Sequence, residues 1–567
     1  MLKQFNIGML CLFLRKTTHM RLLLSILFIA SLFSCAPDKV TADLLIKNGA
    51  IYTVNSEFDM ADAVVVKDGK ILEIGRKPEL ELKYSFSEVY DAEGQTVLPG
   101  LIDGHAHLFN LGVTMQQVDL FGTESFEEVI DRVVAFQKEK NVSFIRGRGW
   151  DQNDWKVKEF PNNKILDSLF PDTPVALTRV DGHAMIANKM ALKLAKITTK
   201  TKIKGGVVAL DKTDRANPKL TGLLIDSPMD LVFATYPKES ESYLRRVLQD
   251  AEKKCLSLGL TTINDAGLNK NVIDVIEKMH QEDSLKIRVY AMVSNSKENL
   301  DYYLKAGIIK TDRLHVRSVK VYADGALGSR GATLRSSYSD KENHFGAMIT
   351  PQKELKAVAK RIAAAGYQMN THAIGDSANV AVIRAYQEAI DDTKDMRWKI
   401  EHAQVVTMED FDAFSKNIIP SIQPTHATSD MYWAEDRIGS ERIKGAYAYK
   451  TLLDKAGMIV LGTDFPVERV NPMHTFYAAV ARKDLKNYPE EGYRTEEALS
   501  REETLKGMTI WAAYSNFEEN EKGSIEAGKF ADFTILDRDI MKVHADSIPK
   551  AKVMATYING ERVYSGN

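Results

Sequence analysis

Cysteine is almost absent from this sequence, since its 567 residues include only three, Cys11, Cys35 and Cys255. Three cysteines at such distances do not form the disulfide framework that holds small secreted domains together. An excess of charge of one sign is also missing, because 75 Lys and Arg residues against 77 Asp and Glu residues leave a formal net charge of -2 at pH 7. The chain therefore has no electrostatic basis for binding nucleic acid or an anionic membrane surface.

Several catalytic motifs are missing too. The chain contains no G-x-S-x-G nucleophile elbow, no H-E-x-x-H metal motif and no phosphate-binding P-loop. Gly147-Arg148-Gly149 lacks the third glycine of a dinucleotide fingerprint. These absences remove the sequence support for the serine hydrolases, zinc proteases, P-loop enzymes and dinucleotide-dependent enzymes that those motifs identify.

The amino terminus contains a basic segment followed by an apolar run. Arg15, Lys16 and Arg21 precede the apolar residues 22–30, a run too short to span a membrane comfortably. This pattern predicts a secretory signal peptide over residues 1–35. Leu32-Phe33-Ser34-Cys35 resembles a bacterial lipobox, in which Cys35 becomes the lipid-modified first residue. We expect a lipoprotein of the bacterial cell envelope that faces the periplasm and contacts the membrane only through its lipid; a plain signal peptide with an incidental cysteine is the alternative.

Both ends of the remaining chain are rich in short strands. Lys67-Asp68-Gly69-Lys70 separates two β-rich runs and predicts a hairpin. Residues 533–536 and 553–558 read as strands as well. Neither β region is large enough to be stable alone. We therefore predict that residues 36–97 and 522–567 pair into one small β-sandwich.

The middle of the chain alternates helical and strand-like patterns. A helical period over residues 355–365 stops at Gly366, and residues 367–372 then read as a strand. Repeated βα units on this scale predict an α/β fold with a TIM-type (β/α)8 barrel over residues 98–521. The segment from about residue 108 to 260 is longer than two units need, so we expect an insertion there, near the barrel mouth.

An H-x-H motif follows the first strand of this barrel. His105 and His107 come directly after the largely apolar segment 97–104. Residues i and i+2 of a strand point to the same face. Two neighbouring imidazoles suit a zinc-type metal, because neutral imidazole nitrogen is a preferred ligand. For the motif alone, two histidines with ordinary structural partners are the alternative.

Other polar residues also end apolar runs. Catalytic groups of a TIM barrel lie at the carboxyl ends of its strands. The residues that meet this criterion are His105, His107, Lys320, His372, His402 and Asp464. A single histidine or aspartate at such a place is commonly structural. Six of them in this order predict a binuclear metal site.

The segments around these residues resemble the amidohydrolase superfamily, in particular the branch that includes N-substituted formamide deformylases. The matching segments are residues 97–107, 320–330, 372–376, 400–403, 462–468 and 523–533. The resemblance implies that His105, His107 and Asp464 hold a first divalent ion, and that His372 and His402 hold a second. Zinc is the expected metal, although iron, manganese, nickel or cobalt suit the same ligands.

The resemblance also implies a role for Lys320, which would bridge the two ions as a carbamate. The chemistry is reasonable because burial lowers the pKa of an amine, and a neutral amine reacts with carbon dioxide. A salt bridge from Lys320 to Asp324 or Glu401 is the alternative. The site would then bind one ion rather than two.

This ligand set implies hydrolysis of a C–N bond in a small amide, formamide, N-acyl amine or cyclic amide. Water activated by the metal would attack the carbonyl group, and Asp464 would act as general base and then as general acid. The same site is also suited to an ester, lactone or phosphoester. A non-catalytic ligand-binding lipoprotein on the same scaffold is the other alternative, and a homodimer stays open.

Substrate contacts are harder to predict from the sequence. The family has a histidine similar to His183, which would orient the substrate carbonyl; a loop hydrogen bond is the alternative. Further candidates near the substrate are Trp150, Asp181, Arg330 and His344. His426 follows a predicted seventh strand and is expected near the pocket, although the resemblance does not imply that it binds metal.

Overall fold

The computed structural model describes residues 39–237, 240–391 and 393–566. The predicted signal peptide and Cys35 lie outside these residues. Cys255 is buried in the helix Glu241–Leu256. No helix in the described ranges combines the length and the apolar character needed to cross a bilayer.

The described strands fall into groups along the chain. The first group is β1 (Val40–Tyr52), β2 (Met60–Lys67), β3 (Lys70–Gly75), β4 (Tyr84–Asp91) and β5 (Thr96–Pro99). After β6 (Leu101–Ala106) come β7 (Val118–Asp119), β8 (Ile145–Trp150), β9 (Val175–Arg179), β10 (Ala184–Ala187), β11 (Gly206–Asp211) and β12 (Lys219–Asp226). The next strands are β13 (Leu260–Leu268), β14 (Arg288–Ser294), β15 (Ile309–Lys310), β16 (Leu314–Tyr322), β17 (Gln368–Ala373), β18 (Trp398–His402), β19 (Ile418–Ile422) and β20 (Val460–Leu461). The last are β21 (Phe533–Leu536), β22 (Val553–Ile558) and β23 (Glu561–Ser565).

Helices occur between most of these strands. In the first half of the chain they are Lys77–Lys83, Leu108–Thr114, Phe126–Lys140, Lys164–Leu169, Lys189–Leu194, Met229–Phe233, Glu241–Leu256, Lys270–Gln281 and Lys297–Ala306. In the second half they are Gln352–Ala364, Asp376–Ala389, Pro424–Asp430, Ala434–Arg442, Tyr449–Ala456, Pro472–Ala481, Arg501–Gly507 and Ile510–Ser515. Short 3₁₀ helices are Gln152–Asp154, Met408–Ala413, Ile443–Gly445, Thr495–Glu497 and Ala545–Lys550.

Eight parallel strands form the barrel. Their order around the sheet is β6, β13, β14, β16, β17, β18, β19 and β20. The two end strands meet where the Asp464 N–H donates to the His105 carbonyl at 2.8 Å. Asp103 strengthens this junction, because its carboxylate accepts from both the N–H and the hydroxyl of Thr463. The predicted TIM-type α/β fold is confirmed.

The outer helices follow from their apolar periodicity. In the helix Gln352–Ala364 the buried residues are Leu355, Ala359 and Ile362, which recur at helical spacing. Gly366 follows with φ +71°, a left-handed conformation that suits glycine at the end of a helix. Gln368 then begins β17, so this βα unit forms as the sequence predicts.

The strands from both chain ends join in a single eight-stranded sheet. β21 pairs antiparallel with β5, with Phe533 opposite Pro99, and β1 pairs with β2 and β5. The turn between β2 and β3 contacts the segment just before β21, because the carbonyl of Gly69 accepts the N–H of Ala531 at 3.0 Å. The β layer is therefore one curled sheet, in which strands from both chain ends share an apolar core.

The insertion lies between the first two barrel strands, β6 and β13. It contains a six-stranded sheet in the order β11, β12, β10, β9, β8 and β7. Its core is separate from that of the barrel and includes Trp150 and Trp155. The segment predicted to hold an insertion thus contains no barrel strand among its described residues, and the next barrel strand begins at Leu260.

Candidate metal centre

The six residues predicted to form the metal site all line one cavity at the carboxyl end of the barrel. The cavity has a volume of about 370 Å³. His105 lies on β6, Lys320 on β16, His372 on β17 and His402 on β18, and Asp464 follows β20. Strands in a parallel barrel end at the same rim, which explains why residues from such distant positions meet. Their role as ligands stays a prediction.

The His105 side chain is fully buried and is held on both ring nitrogens. Its Nδ1 lies 2.5 Å from Oε2 of Glu401, and its Nε2 lies 3.0 Å from Nζ of Lys320. Burial, together with the nearby Lys320, lowers the pKa of His105 to about 4. The imidazole is therefore neutral at pH 7, with Nδ1 donating to Glu401. Its Nε2 lone pair faces the cavity.

Asp464 places a carboxylate beside both histidines of the H-x-H motif. Its Oδ1 lies 3.1 Å from Nε2 of His107 and 3.7 Å from Nε2 of His105. Burial alone would raise the pKa of Asp464, but the neighbouring His107 and His105 hold it below its usual value. The backbone of Asp464 adopts φ +62°, which the bond to the His105 carbonyl helps to hold. The carboxylate is ionised at neutral pH and offers oxygen ligands to a cation.

His402 and His372 form the opposite side of the cluster. Nδ1 of His402 lies 2.6 Å from Oε1 of Gln423, so the amide oxygen orients this ring and leaves its Nε2 toward the cavity. The ring centroids of His372 and His402 are 4.5 Å apart. Burial lowers the pKa of His372 to about 3, and Lys320 and His105 add to the effect. Both histidines are neutral and suited to bind a metal ion.

Lys320 has neither of the ion pairs that would give it a purely structural role. No carboxylate lies within 4.0 Å of its amine among the described residues. Glu401 instead pairs with Lys399 at 3.3 Å. Asp324 instead accepts backbone N–H groups, including that of Gly375 at 2.9 Å. Burial lowers the pKa of Lys320 to about 8, which increases the neutral amine fraction.

Unsatisfied polar atoms show that these residues fit a metal ion. Nε2 of His372, Nε2 of His426 and Oδ1 of Asp464 are buried and have no hydrogen bond to the described protein. Buried polar atoms in native proteins nearly always have a partner. Two groups also bring ligand atoms within 4.8 Å of one another, His105 with His107 and Asp464, and His402 with His426 and Asp464. This nitrogen and oxygen set suits zinc and related divalent metals.

Three residues that support the site were missed by the sequence argument. Glu401 and Gln423 orient the rings of His105 and His402, and Asp103 ties β6 to Thr463. Glu401 directly precedes His402 and Asp103 lies two residues before His105, so a search for polar partners close to each ligand in the sequence would have found both. Gln423 follows β19, a strand that supplies none of the six predicted residues.

The rest of the cavity lining contains both apolar and polar residues. The apolar wall consists of Tyr322, Leu327, Ile374, Trp433 and Val467. The polar lining beyond the predicted ligands consists of Gln404, His426, Asp430 and Glu468. His426 was expected near the pocket, and the structure places it there.

Trp150, Asp181 and His183 lie on the insertion, and none of them lines the cavity. Trp150 is buried in the insertion core, where its indole N–H donates to the carbonyl of Leu177 at 2.8 Å. Asp181 pairs with Arg179. The His183 side chain is 75% exposed and lies 2.8 Å from Asp226. The structure thus does not bring these predicted substrate contacts to the metal site.

Arg330 and His344 lie in the loop after β16, whose Leu327 and Gly328 reach the cavity. The Arg330 guanidinium binds Asp340 at 2.7 Å, and Nε2 of His344 lies 2.9 Å from the Arg330 carbonyl. Neither side chain lines the cavity. Their contacts stabilise the loop that does.

Comparisons with known proteins agree with this geometry. The family model described as "Amidohydrolase family" matches residues 88–564. Protein LONG AFTER FAR-RED 3 of Arabidopsis thaliana is 33% identical over 562 residues, which cover 96% of this chain and 95% of that protein. N-substituted formamide deformylase of Arthrobacter pascens is 24% identical over 554 residues, which cover 91% of this chain and 97% of that protein.

A solved structure gives the same result for the fold. The crystal structure of an uncharacterized metal-dependent hydrolase from Pyrococcus furiosus is 28% identical and superposes with a TM-score of 0.72, covering 88% of this chain and all of that chain. The family match runs from β4 to β23 and so includes the barrel, the insertion and all six predicted ligands. The chain belongs to the amidohydrolase family.

Proposed function

We propose that this protein is a metal-dependent hydrolase that cleaves the C–N bond of a small amide, formamide, N-acyl amine or cyclic amide. One observation carries the proposal. The buried Oδ1 of Asp464 lies beside the two H-x-H nitrogens, faces the cavity and has no hydrogen bond to the described protein. Family membership supports the same conclusion, since the relative from Arthrobacter pascens is named a deformylase of N-substituted formamides.

The proposed ligands are divided between two ions. His105, His107 and Asp464 would hold the first, and His372 and His402 the second, with zinc as the expected metal. A divalent ion in such a site lowers the pKa of bound water to about 7 and polarises a carbonyl group.

The chain's own residues perform the proton transfers. Asp464 is ionised and its Oδ1 faces the cavity, so it accepts a proton from the attacking water and returns it to the leaving nitrogen. The Leu327, Ile374 and Val467 side chains line the cavity beside it and exclude water from the apolar part of a substrate. No serine or cysteine nucleophile is needed.

Lys320 is proposed to carry the carbamate that bridges the ions. Its neutral amine adds to the carbon of carbon dioxide and loses one proton, which gives an anionic group with two oxygens. The low pKa of the amine and the lack of a carboxylate within 4.0 Å among the described residues support this role. Without the carbamate, a buried amine that lacks a carboxylate partner would cost folding free energy.

Two alternatives keep the fold but change the activity. The same site is suited to an ester, a lactone or a phosphoester, because its chemistry acts on the polarised carbonyl or phosphoryl group. A ligand-binding lipoprotein without activity is the second alternative. The presence of all six predicted residues in one cavity argues against it.

The decisive experiment combines metal analysis with a paired substrate panel. The protein is purified with bicarbonate and without chelator, and metal per chain is measured by elemental mass analysis. We expect about two ions in the wild type and about one in Lys320→Ala, with amides hydrolysed faster than matched esters. A protein without metal, or one active only on esters, would overturn the proposal.

The carbamate has its own test. After enrichment with ¹³C-bicarbonate, the wild type is expected to show a carbamate carbon signal by NMR that Lys320→Ala lacks. Lys399→Ala provides the matched control, since Lys399 is also buried but pairs with Glu401. A signal that persists in Lys320→Ala would assign the modification elsewhere.

We also propose that the protein is exported as a lipoprotein anchored through Cys35. The basic segment, the short apolar run and the lipobox-like residues before Cys35 support this. Wild-type protein made in a bacterial host is expected in the membrane fraction, and Cys35→Ser in the soluble fraction. The same distribution for both proteins would overturn the proposal.

A further inference from the structure

One histidine that the family resemblance does not connect with metal lies in the same cavity. His426 belongs to the first turn of the helix Pro424–Asp430, and its buried Nε2 has no hydrogen-bond partner among the described residues. This atom lies 3.6 Å from Oδ2 of Asp464. A histidine with a structural role would use that nitrogen in a hydrogen bond. The nitrogen is instead free to bind a cation.

Asp464 directs its two oxygens to different histidines. Oδ1 lies 3.1 Å from Nε2 of His107, whereas Oδ2 lies 3.6 Å from Nε2 of His426. Ligand atoms of His402, His426 and Asp464 all lie within 4.8 Å of one another, as do those of the H-x-H pair and Asp464. One carboxylate is therefore shared by two sets of ligand atoms.

A short segment after β19 fixes the second set. Gln423 precedes the helix, and its side-chain oxygen lies 2.6 Å from Nδ1 of His402. Its backbone carbonyl accepts the N–H of His426 at 3.0 Å. The rings of His402 and His426 consequently stack with their planes at 23° and their centroids 5.8 Å apart. Gln423 thus positions both nitrogens, one through its side chain and one through its backbone.

We propose that His426 is a metal ligand and that it joins His372 and His402, together with Oδ2 of Asp464, in holding the second ion. Asp464 would then bridge the two ions, so the bridge does not depend on the Lys320 carbamate alone. Imidazole nitrogens and carboxylate oxygens are common ligands of zinc. This inference rests on the metal centre of the proposed function and adds the His426 ring and Oδ2 of Asp464 to the ligands of its second ion.

The His426→Cys variant allows metal binding at this position to be detected by spectroscopy. Cobalt(II) occupies nitrogen and oxygen sites of this kind, and a thiolate bound to it produces a charge-transfer band in the near ultraviolet. The full-length His426→Cys protein loaded with cobalt is expected to show this band. His474→Cys is the matched control, because Nε2 of His474 already contacts the Asn471 side chain at 3.3 Å and does not line the metal cavity. It should show no band, and neither should the wild type, which contains the same native cysteines, Cys11, Cys35 and Cys255, as both variants. Cys255 is buried and does not line the cavity.

Metal content provides a second measurement that does not depend on the cysteine variant. The wild type is expected to hold about two zinc ions per chain and His426→Ala about one, with the remaining ion as resistant to chelator as before. His474→Ala should retain both. These results, together with the cobalt band, would support His426 as a ligand of the second ion.

The outcomes that overturn the inference differ from those that overturn the proposed function. If His426→Ala keeps the wild-type metal content and His426→Cys shows no band, His426 is not a ligand, whereas a metal-dependent amidase activity would still stand. If the wild type holds a single ion that His426→Ala retains, the enzyme is mononuclear and the inference is wrong. If the wild type holds no metal, the proposed function and the inference both fail.

Discussion

Oε2 of Glu401 lies 2.5 Å from Nδ1 of His105, and both side chains are completely buried. Burial lowers the pKa of His105 to about 4, so the neutral ring donates its Nδ1 proton to the carboxylate and presents Nε2 to the cavity. A carboxylate behind a histidine ligand fixes its orientation and raises its basicity. Glu401 therefore controls a predicted metal ligand that lies almost 300 positions away in the chain.

Substitution of Glu401 should weaken metal binding without removing a ligand. In Glu401→Gln the amide oxygen still accepts from His105, but the negative charge is lost. We expect metal affinity to fall about 10- to 100-fold, which a competition titration with a chelator will measure. Glu409→Gln is the matched control, because this glutamate is exposed. Equal affinities for Glu401→Gln and the wild type would contradict the role assigned to Glu401.

Much of the fold was predictable because local signals and global topology agree. The turn Lys67-Asp68-Gly69-Lys70 connects β2 and β3 as predicted, with Asp68 and Gly69 both at positive φ. Gly366 ends its helix as predicted. The joining of the chain ends was predictable from a different argument, since two small β regions need each other to form a stable sheet. Periodicity and turn chemistry are properties of short segments, so the sequence records them directly.

The candidate site was predictable only in part. His372 and His402 were identifiable because each ends an apolar strand in a barrel, and the barrel geometry brings such residues together. The hydrogen bond between Gln423 and His402 could not be predicted, because it depends on how the first turn after β19 lies beside β18. The pairing of Lys399 with Glu401 was not predictable either. It places a charged pair inside the barrel and leaves Lys320 with no carboxylate within 4.0 Å in the described part of the chain.

The substrate wall was the least predictable part. Trp150 and Trp433 are both large aromatics near polar residues in the sequence, yet Trp150 packs inside the insertion and Trp433 lines the cavity. Which aromatic reaches the substrate depends on how the insertion and the loops meet the barrel. That arrangement comes from tertiary packing, which no local pattern encodes.

Lys320 and Lys399 should respond in opposite ways to the same substitution. Both amines are buried, but among the described residues only Lys399 has a carboxylate within 4.0 Å, that of Glu401 at 3.3 Å. Burial lowers the pKa of Lys320 to about 8, so its charge costs folding free energy at pH 7. We expect Lys320→Met to stabilise the metal-free protein by up to about 3 kcal/mol.

The matched Lys399→Met variant should instead be destabilised, because it leaves the charge of Glu401 without its lysine partner. Thermal unfolding of the metal-free proteins at pH 7 will measure both effects. A lower melting temperature for Lys320→Met would show that the Lys320 amine has a stabilising partner in solution.

Trp433 should set the preference for apolar substituents on the substrate. Its ring packs against Gly328, where an added Cβ would lie 3.2 Å from the indole, and both residues line the cavity. Removing the ring exposes apolar substrate surface to water, which costs about 1.5–3 kcal/mol for a large group. We expect Trp433→Ala to raise KM at least about 10-fold for aromatic amides and much less for formamide-sized substrates.

Trp150→Phe is the control for this prediction, since Trp150 lies in the insertion core and away from the cavity. Steady-state kinetics on a series of amides of increasing apolar size will compare the two variants. An equal KM change for large and small amides in Trp433→Ala would show that the ring acts on the metal site rather than on substrate size.

His280 does not line the metal cavity, yet its titration should make the stability of the protein depend on pH. Its Nε2 lies 3.0 Å from the carbonyl of Ile287, and burial lowers its pKa from 6.5 to about 4, with Arg313 and Arg288 adding to the effect. The folded protein therefore binds fewer protons than the unfolded chain between these values. The contribution of His280 to stability is complete above pH 6.5 and is lost as the pH falls toward 4.

The loss amounts to up to about 3 kcal/mol, and His280→Gln removes the titrating group. We expect His280→Gln to melt below the wild type at pH 7.5, and the difference to shrink or reverse at pH 5. His544→Gln serves as control because the side chain of His544 is 80% exposed. A gap between wild type and His280→Gln that stays constant from pH 7.5 to pH 5 would contradict this prediction. It would mean that the pKa of His280 is the same in the folded and unfolded protein, because only a pKa that changes on folding makes stability depend on pH.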